Sequence, residues 1–233
     1  MRKTAKIEYL SIALAAVFLF LSFTSPKMTV ADDSLNLYLP FSGNASDASG
    51  NNNNGIVTGA TLTTDKDGNA DSAYYFDGVD DSISLGTSLF GINESNEFTI
   101  SAWINPDDVL NTKSIVARGQ YNNPFLLQAT GNKVRAGLRT NNTYYQTTGI
   151  ALSPNNWHHV VFSFKNGERR IYINGEIKAS DAFTGALAPS VKPMVIGKTP
   201  ENGADYFKGK IDEVRIYNRA LTEAEVNGIY TEN

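Results

Sequence analysis

Two Asn-Gly pairs cut the stretch NNWHHVVFSFKNGERRIYINGEIKA into short runs of strand-forming residues. The pairs are Asn166-Gly167 and Asn174-Gly175. Both residues of such a pair tolerate positive φ, which a two-residue turn between antiparallel strands demands. Trp157 to Phe164, Arg169 to Asn174 and Glu176 to Ala179 are therefore expected to form a meander.

The same pattern recurs along the chain. LNLYLPF alternates Leu35, Leu37 and Leu39 on one face. EFTISAWINP sets Phe98, Ile100, Ala102 and Ile104 against Thr99, Ser101 and Trp103. NNPFLLQATGNKVRAGLR reads as two strands joined at Thr130-Gly131-Asn132. The one good helix is terminal: Thr222 and Glu225 have the spacing of a capping box, and Val226 and Ile229 form its apolar stripe. Gly228 weakens it, so about two turns are expected. Many short strands and a single short helix predict an all-β, two-sheet antiparallel sandwich. No linker or internal repeat divides residues 32–233, which are read as one domain.

Composition narrows the chemistry. The 233 residues include no cysteine, which removes disulfides, thiolate metal sites and cysteine nucleophiles together. The only two histidines, His158 and His159, are adjacent, which argues against a histidine zinc site. They begin a strand, so one should face the core and the other the outside.

Residues 1–31 read as a secretory signal. Arg2, Lys3 and Lys6 precede the apolar run Tyr9 to Phe23, and Thr29-Val30-Ala31 offers a cleavage site. Lys27 leaves an uncleaved anchor as the alternative, and otherwise the mature chain has no membrane span. Either way the domain is expected to be secreted or extracytoplasmic, at the cell surface or in the periplasm. Cleavage would remove four of the 20 basic residues and one of the 24 acidic ones, taking the net charge from −4 to −7. Such acidity argues against a nucleic-acid partner.

Four phrases carry a family resemblance: YYFDGVDDSISL, FTISAWINP, NNWHHVVFSF with RRIYINGE, and YFKGKIDEVRIYNRALTEAEV. Their order and spacing, from about Leu37 to Tyr230, resemble the laminin-G-like jelly rolls of the concanavalin A-like lectin/glucanase group. The resemblance implies a jelly roll with a concave and a convex face and ligand-binding loops along one edge. It implies a mostly non-catalytic module that attaches to glycans or proteins, often with calcium.

That superfamily also holds retaining glycosidases with Glu-x-Asp-x-Glu on one strand, a spacing that puts both carboxylates on one wall of a cleft. No such pair is found. Asp212 and Glu213 in KIDEV are adjacent and should face opposite ways, Glu176 and Asp181 differ in parity, and EAEV lies on the helix. GKTPENG lacks the spacing of a phosphate-binding loop. An enzyme is not expected.

Calcium takes six to eight oxygen ligands, and loops rich in Asp, Asn and Gly could supply them. The candidates are the opening loop with Asn44, Asp47, Asn51 and Asn53; Asp77, Asp80 and Asp81; the GQYNNP turn; and Glu201, Asn202 and Asp205. The resemblance implies two arrangements. One follows related pentraxin-type jelly rolls and uses Asn122, Asn123 and Glu201, but Lys198, Thr199 and Pro200 depart from that pattern. The other is a structural calcium tying the first loop to the last strand through Asn44, Asp47 and Asp212. The alternative is that these residues form hydrogen-bonded turns.

A glycan would need aromatic faces near those loops, and Tyr121, Tyr144, Tyr145 and Tyr206 are the candidates. Tyr144 and Tyr145 must split between faces, so at most one is free to stack. Trp103 and Trp157 are expected in the core, with the indole N–H partnered. The sequence thus predicts an exported binding module for a glycan, with calcium assisting, or for an extracellular or surface protein.

Overall fold

The computed structural model describes residues 32–87, 97–108, 112–118, 125–139, 143–185, 187, 192–200 and 205–232. Two antiparallel sheets stack on each other as a sandwich, and one helix docks on the outside. The first sheet takes Leu35–Leu39 (β1), Thr61–Thr63 (β3), Ala73–Asp77 (β4), Glu97–Pro106 (β6), His158–Lys165 (β12), Gly167–Ile173 (β13), Glu176–Phe183 (β14) and Lys208–Tyr217 (β16). The second takes Ile56–Thr58 (β2), Ser82–Ser84 (β5), Lys113–Ala117 (β7), Phe125–Thr130 (β8), Lys133–Arg139 (β9), Tyr144–Gln146 (β10), Ile150–Ala151 (β11) and Val195–Ile196 (β15). The first runs β14-β13-β12-β6-β16-β4-β3, with β1 also on β16. The second runs β10-β9-β8-β7-β15-β5-β2, with β11 also on β9.

The expected meander is β12, β13 and β14. Asn174 (φ 53°) and Gly175 (φ 78°) both take the left-handed conformation that the second turn needs. At the first turn only Gly167 does, with φ 101°, so that asparagine keeps an ordinary backbone. The helix, Glu223–Thr231 (α1), starts at the capping box: Thr222 Oγ1 accepts from Glu225 N, and Glu225 Oε2 accepts from Thr222 N at 2.8 Å.

Phe76, Phe98, Phe162 and Ile216 of the first sheet meet Ile83, Phe125, Leu127 and Ile196 of the second to form the main core. A second apolar cluster lies on the outer face of the first sheet. There Val161, Tyr172 and Tyr217 pack beneath Leu221, Val226 and Ile229. β6 is therefore buried on both faces, including Thr99, Ser101 and Trp103.

Three expectations fail for local reasons. Leu37 and Leu39 enter the main core, but Leu35 packs against the outer cluster, because the β1–β16 register shifts between Leu35 and Leu37. His159 lies on the outer face yet is wholly buried, since Tyr230 of α1 stacks over it at 5.9 Å. Trp103 is buried, but its Nε1 has no hydrogen-bond partner among the described residues, and Trp157 is only half-buried. Stacking sets the Trp103 ring: Tyr230 lies 5.6 Å away, and Lys66 Nζ sits 5.3 Å from the ring centre.

Candidate functional site

The opening loop is organised around Asp47. Its Oδ1 accepts from Tyr38 N (3.0 Å) and Ser49 N (2.9 Å), and its Oδ2 from Asn53 N (2.9 Å). Burial would raise this carboxyl, but those N–H groups outweigh burial and hold it below the ordinary range. Asn53 Nδ2 donates to Asn36 O at 2.9 Å, and Asn51 Nδ2 to Leu35 O at 3.1 Å, so the loop is stitched to β1. Asn44 Oδ1 accepts from Ser46 N at 2.8 Å in a local turn. The loop has almost nothing apolar to bury, and these bonds give it its order.

Asp212 lies elsewhere, opposite Trp103 on β16. It is 3% exposed and accepts from Glu213 N at 2.7 Å. Burial, then the neighbouring Glu213 charge, pushes its carboxyl up to about 8. Among the described residues, Asn44, Asp47 and Asp212 share no hydrogen-bond partner.

The parity argument that separated Asp212 from Glu213 does not hold. A bulge between Asp212 and Arg215 puts Glu213 at φ 52° and turns it to the same outer face. There Glu213 accepts from the Tyr38 hydroxyl at 3.0 Å and lies 2.7 Å from Arg215 Nη2. Burial raises the Glu213 carboxyl in spite of Arg215.

Tyr121, Asn122, Asn123, Glu201 and Asn202 lie outside the described residues. Asp205 has φ 61°, and its carbonyl accepts from Ser114 N at 2.8 Å, anchoring the segment before β16 to β7. Tyr206 is half-buried, with Lys198 Nζ 5.8 Å from its ring centre, so a cation already occupies one ring face.

Tyr144 and Tyr145 divide as strand parity requires. Tyr145 packs edge-on against Phe183 at 5.2 Å. Tyr144 turns outward, opposite Arg139, with its phenol end against the backbone of Gly137. A methyl group on Gly137 would come within 2.0 Å of the Tyr144 hydroxyl oxygen, so only glycine leaves room for the ring there. Tyr144 is 37% exposed and Tyr145 40%, so the two differ in the face they occupy and not in exposure. Gln146, on the same face two residues on, holds Arg135 through Oε1 at 3.0 Å from Nη1. Gln146 and Arg135 were not singled out from the sequence, although the every-second-residue spacing from Tyr144 to Gln146 was the available signal.

Among the described residues, one group of three carboxylates could hold a metal ion: Asp77, Asp80 and Asp81, with ligand atoms within 4.8 Å of one another. Asp81 is buried, and its Oδ2 accepts from Asp77 N at 2.8 Å. Burial, with the Asp77 and Asp80 charges, raises its carboxyl.

Comparison with known proteins fits this architecture. Domain 4 of an extracellular GH43 arabinanase from Geobacillus stearothermophilus, solved in complex with arabinotriose, superposes with a TM-score of 0.69 at 24% identity, over 85% of this chain and 98% of that one. The binding domain of Paraclostridial Mosquitocidal Protein 1 superposes with a TM-score of 0.71 at 21% identity, over 86% and 52%. Adhesion G-protein coupled receptor V1 of Danio rerio is 25% identical over 167 residues, 65% of this chain but only 3% of the receptor. Among the described residues no helix is long and apolar enough to cross a membrane. Residues 76–227, more than half of the sequence, match the laminin-G-type family model, and the chain belongs to the concanavalin A-like lectin/glucanases superfamily.

Proposed function

We propose that the chain is an exported, non-catalytic carbohydrate-binding module in which a sugar ring stacks on Tyr144. The observation that carries this reading is the seating of that ring on Gly137, with Gln146 and Arg135 beside it. An aromatic face supplies apolar contact to a pyranose or furanose ring, and amide and guanidinium groups supply hydrogen bonds that fix its orientation. The arabinotriose complex of the similarly folded arabinanase domain supports a glycan ligand.

The Asp212–Glu213 pair does not suit glycoside hydrolysis. Asp212 and Glu213 share a face, but Asp212 is buried and Glu213 is committed to Tyr38 and Arg215. Neither is placed to meet a substrate across a cleft.

Titration against a panel of neutral polysaccharides tests the proposal. Saturable binding to at least one is expected, and Tyr144→Ala should weaken it by about tenfold or more, equivalent to ~1.4 kcal/mol. Tyr145→Ala should reduce stability and leave the affinity alone. A panel with no saturable member, or an unchanged affinity in Tyr144→Ala, sinks the reading. Each titration is run with millimolar calcium and again with chelator, and a calcium-dependent affinity would give the ion an assisting role.

A second reading, a protein-interaction module, draws on Ile56. It is 70% exposed on β2, which ends the second sheet. An edge strand with an exposed apolar residue can accept a partner strand. Ile56→Glu would abolish such binding and leave sugar binding unchanged.

A further inference from the structure

Helix α1 covers only part of the outer face of the first sheet. Beyond its N-terminus, the turn end of the β12–β13 hairpin stays open, and a cavity of about 340 Å³ lies there. Lys165, Asn166, Glu168 and Arg170 form the hairpin wall, and Ala220 and Leu221 form the wall leading into the helix. We propose that this cavity binds a carboxylate-bearing sugar, a uronate unit of an acidic polysaccharide. It is a second site, on the opposite sheet from Tyr144, and does not depend on that platform.

The walls are built rather than incidental. Thr99 Oγ1 donates to Arg219 O at 2.9 Å and accepts from Leu221 N at 2.9 Å, which ties the helix-side wall to β6. On the hairpin, Arg170 Nη2 donates to Glu168 Oε2 at 2.7 Å, and Glu168 Oε1 accepts from Ser180 Oγ at 2.7 Å. These bonds fix the guanidinium before any ligand arrives, so less freedom is lost on binding.

Charge selects the ligand class. Lys165 and Arg170 contribute two positive charges, and Glu168 is the one carboxylate in the lining. Its oxygens are already engaged by Arg170 and Ser180. The lining therefore carries one net positive charge, which matches a monoanion. Lys165 stands opposite Glu168 across the strand pair, and its charge helps to hold that carboxylate ionised without a contact ion pair, so its ammonium still has donors to offer a ligand. Half-buried Ala220 gives a small apolar patch for the C–H face of a sugar ring, and Leu221 is buried in the outer cluster behind it. The volume sits near the lower end of the ~300–1,000 Å³ typical of ligand sites, the scale of one small sugar. The whole chain has a net charge of −4, so an anion gains nothing from long-range steering and must be held by contact inside the cavity.

The test titrates the purified full-length chain with digalacturonate, with the uncharged galactose disaccharide, and with inorganic sulfate. Digalacturonate should saturate, and the uncharged disaccharide should bind at least about tenfold more weakly, a difference of ~1.4 kcal/mol. Lys165→Ala, at an exposed position that leaves the fold intact, should weaken digalacturonate about tenfold, and Lys165→Arg should retain it. Arg170→Gln should weaken it as well. Tyr144→Ala should leave it unchanged, so failure of the Tyr144 platform with neutral glycans and failure of this site are separate results. No saturation up to about 10 mM, one tenfold step beyond a millimolar binder, overturns the proposal. So does equal binding of the uncharged disaccharide, indifference to Lys165→Ala, or displacement of digalacturonate by sulfate at equal concentration.

Discussion

The Asp47 carboxylate accepts three backbone N–H groups, whereas Asp212 is buried beside a second carboxylate. The two contribute to stability with opposite signs of pH dependence. Asp47 is held low in the folded state, so its contribution is present above the unfolded value of ~3.9 and is lost as pH falls through the folded one. Asp47→Ala leaves three N–H groups without their acceptor and should destabilise by about 2 kcal/mol near neutral pH. Chemical denaturation checks this, and a change below ~0.5 kcal/mol would show that the loop does not hang on Asp47. Asp212 runs the other way. Its carboxyl is pushed up to about 8, so its contribution is complete below ~3.9 and erodes as pH rises toward 8. Glu213, Asp65 and Lys66 are the charged groups that face it. Asparagine in its place keeps an oxygen for Glu213 N and never ionises. Asp212→Asn should therefore match the parent near pH 4 and exceed it by on the order of 2 kcal/mol at pH 9. Equal stability of the two at pH 9 would mean that Asp212 is not held neutral by the fold.

Among the elements, those marked by local chemistry were legible in the sequence, and those set by pairing were not. The Asn-Gly pairs placed β12, β13 and β14, and the Thr222–Glu225 spacing placed the start of α1. The register shifts left no such mark, and two of them matter here. One turns Leu35 away from Leu37, and the other brings Glu213 to the side of Asp212. A bulge is one extra residue relative to a partner strand, and a strand read alone does not show it. The candidate sites divide in the same way. Parity showed only that Tyr144 and Tyr145 part to opposite faces; which of them faces outward, and the Gly137 seat of Tyr144, depend on the neighbouring strand. The Lys165–Arg170 cavity needs Ala220 and Leu221, which only the folded sheet brings near. The burial of His159 was likewise hidden, because it depends on where α1 docks. The cap that starts this helix carries its own prediction. Glu225 binds Arg219 as well as Thr222 N, and the Arg219 hydrogen bonds, opposed by burial, hold its carboxyl down at about 2. Thr222→Ala should destabilise by about 1 kcal/mol, read from the thermal midpoint. An unchanged midpoint would mean that tertiary docking alone sets the helix start.

At the scale of the whole molecule, the two ends of the described chain meet. β1 pairs with β16, and the main core takes side chains from both sheets. Neither sheet can leave without exposing the apolar face of the other, so one cooperative transition is expected for the sandwich. The outer layer is the place where cooperativity could fail. α1 has nine residues, fewer than the ~12–15 at which an isolated helix is even marginal in water, so it is helical only while docked. Val226 and Ile229 are buried, and each contributes about 1.5–3 kcal/mol by that burial. The Thr99 bonds and the Tyr230 stack on Trp103 add to the hold. Peeling the layer thus costs several kcal/mol, comparable to the ~5–15 kcal/mol that stabilises a whole domain. The layer and the sandwich should melt together. Trp103 lies under the layer, so a Trp157→Phe variant makes tryptophan fluorescence report on the layer while far-ultraviolet circular dichroism follows the strands. The two midpoints should coincide. Ile229→Ala should lower both by the same amount, about 5–10 °C for the ~2–4 kcal/mol that a core truncation removes. A fluorescence midpoint falling several degrees ahead of the dichroism in that variant would show that the helix layer is a separate unit resting on an independently stable sandwich.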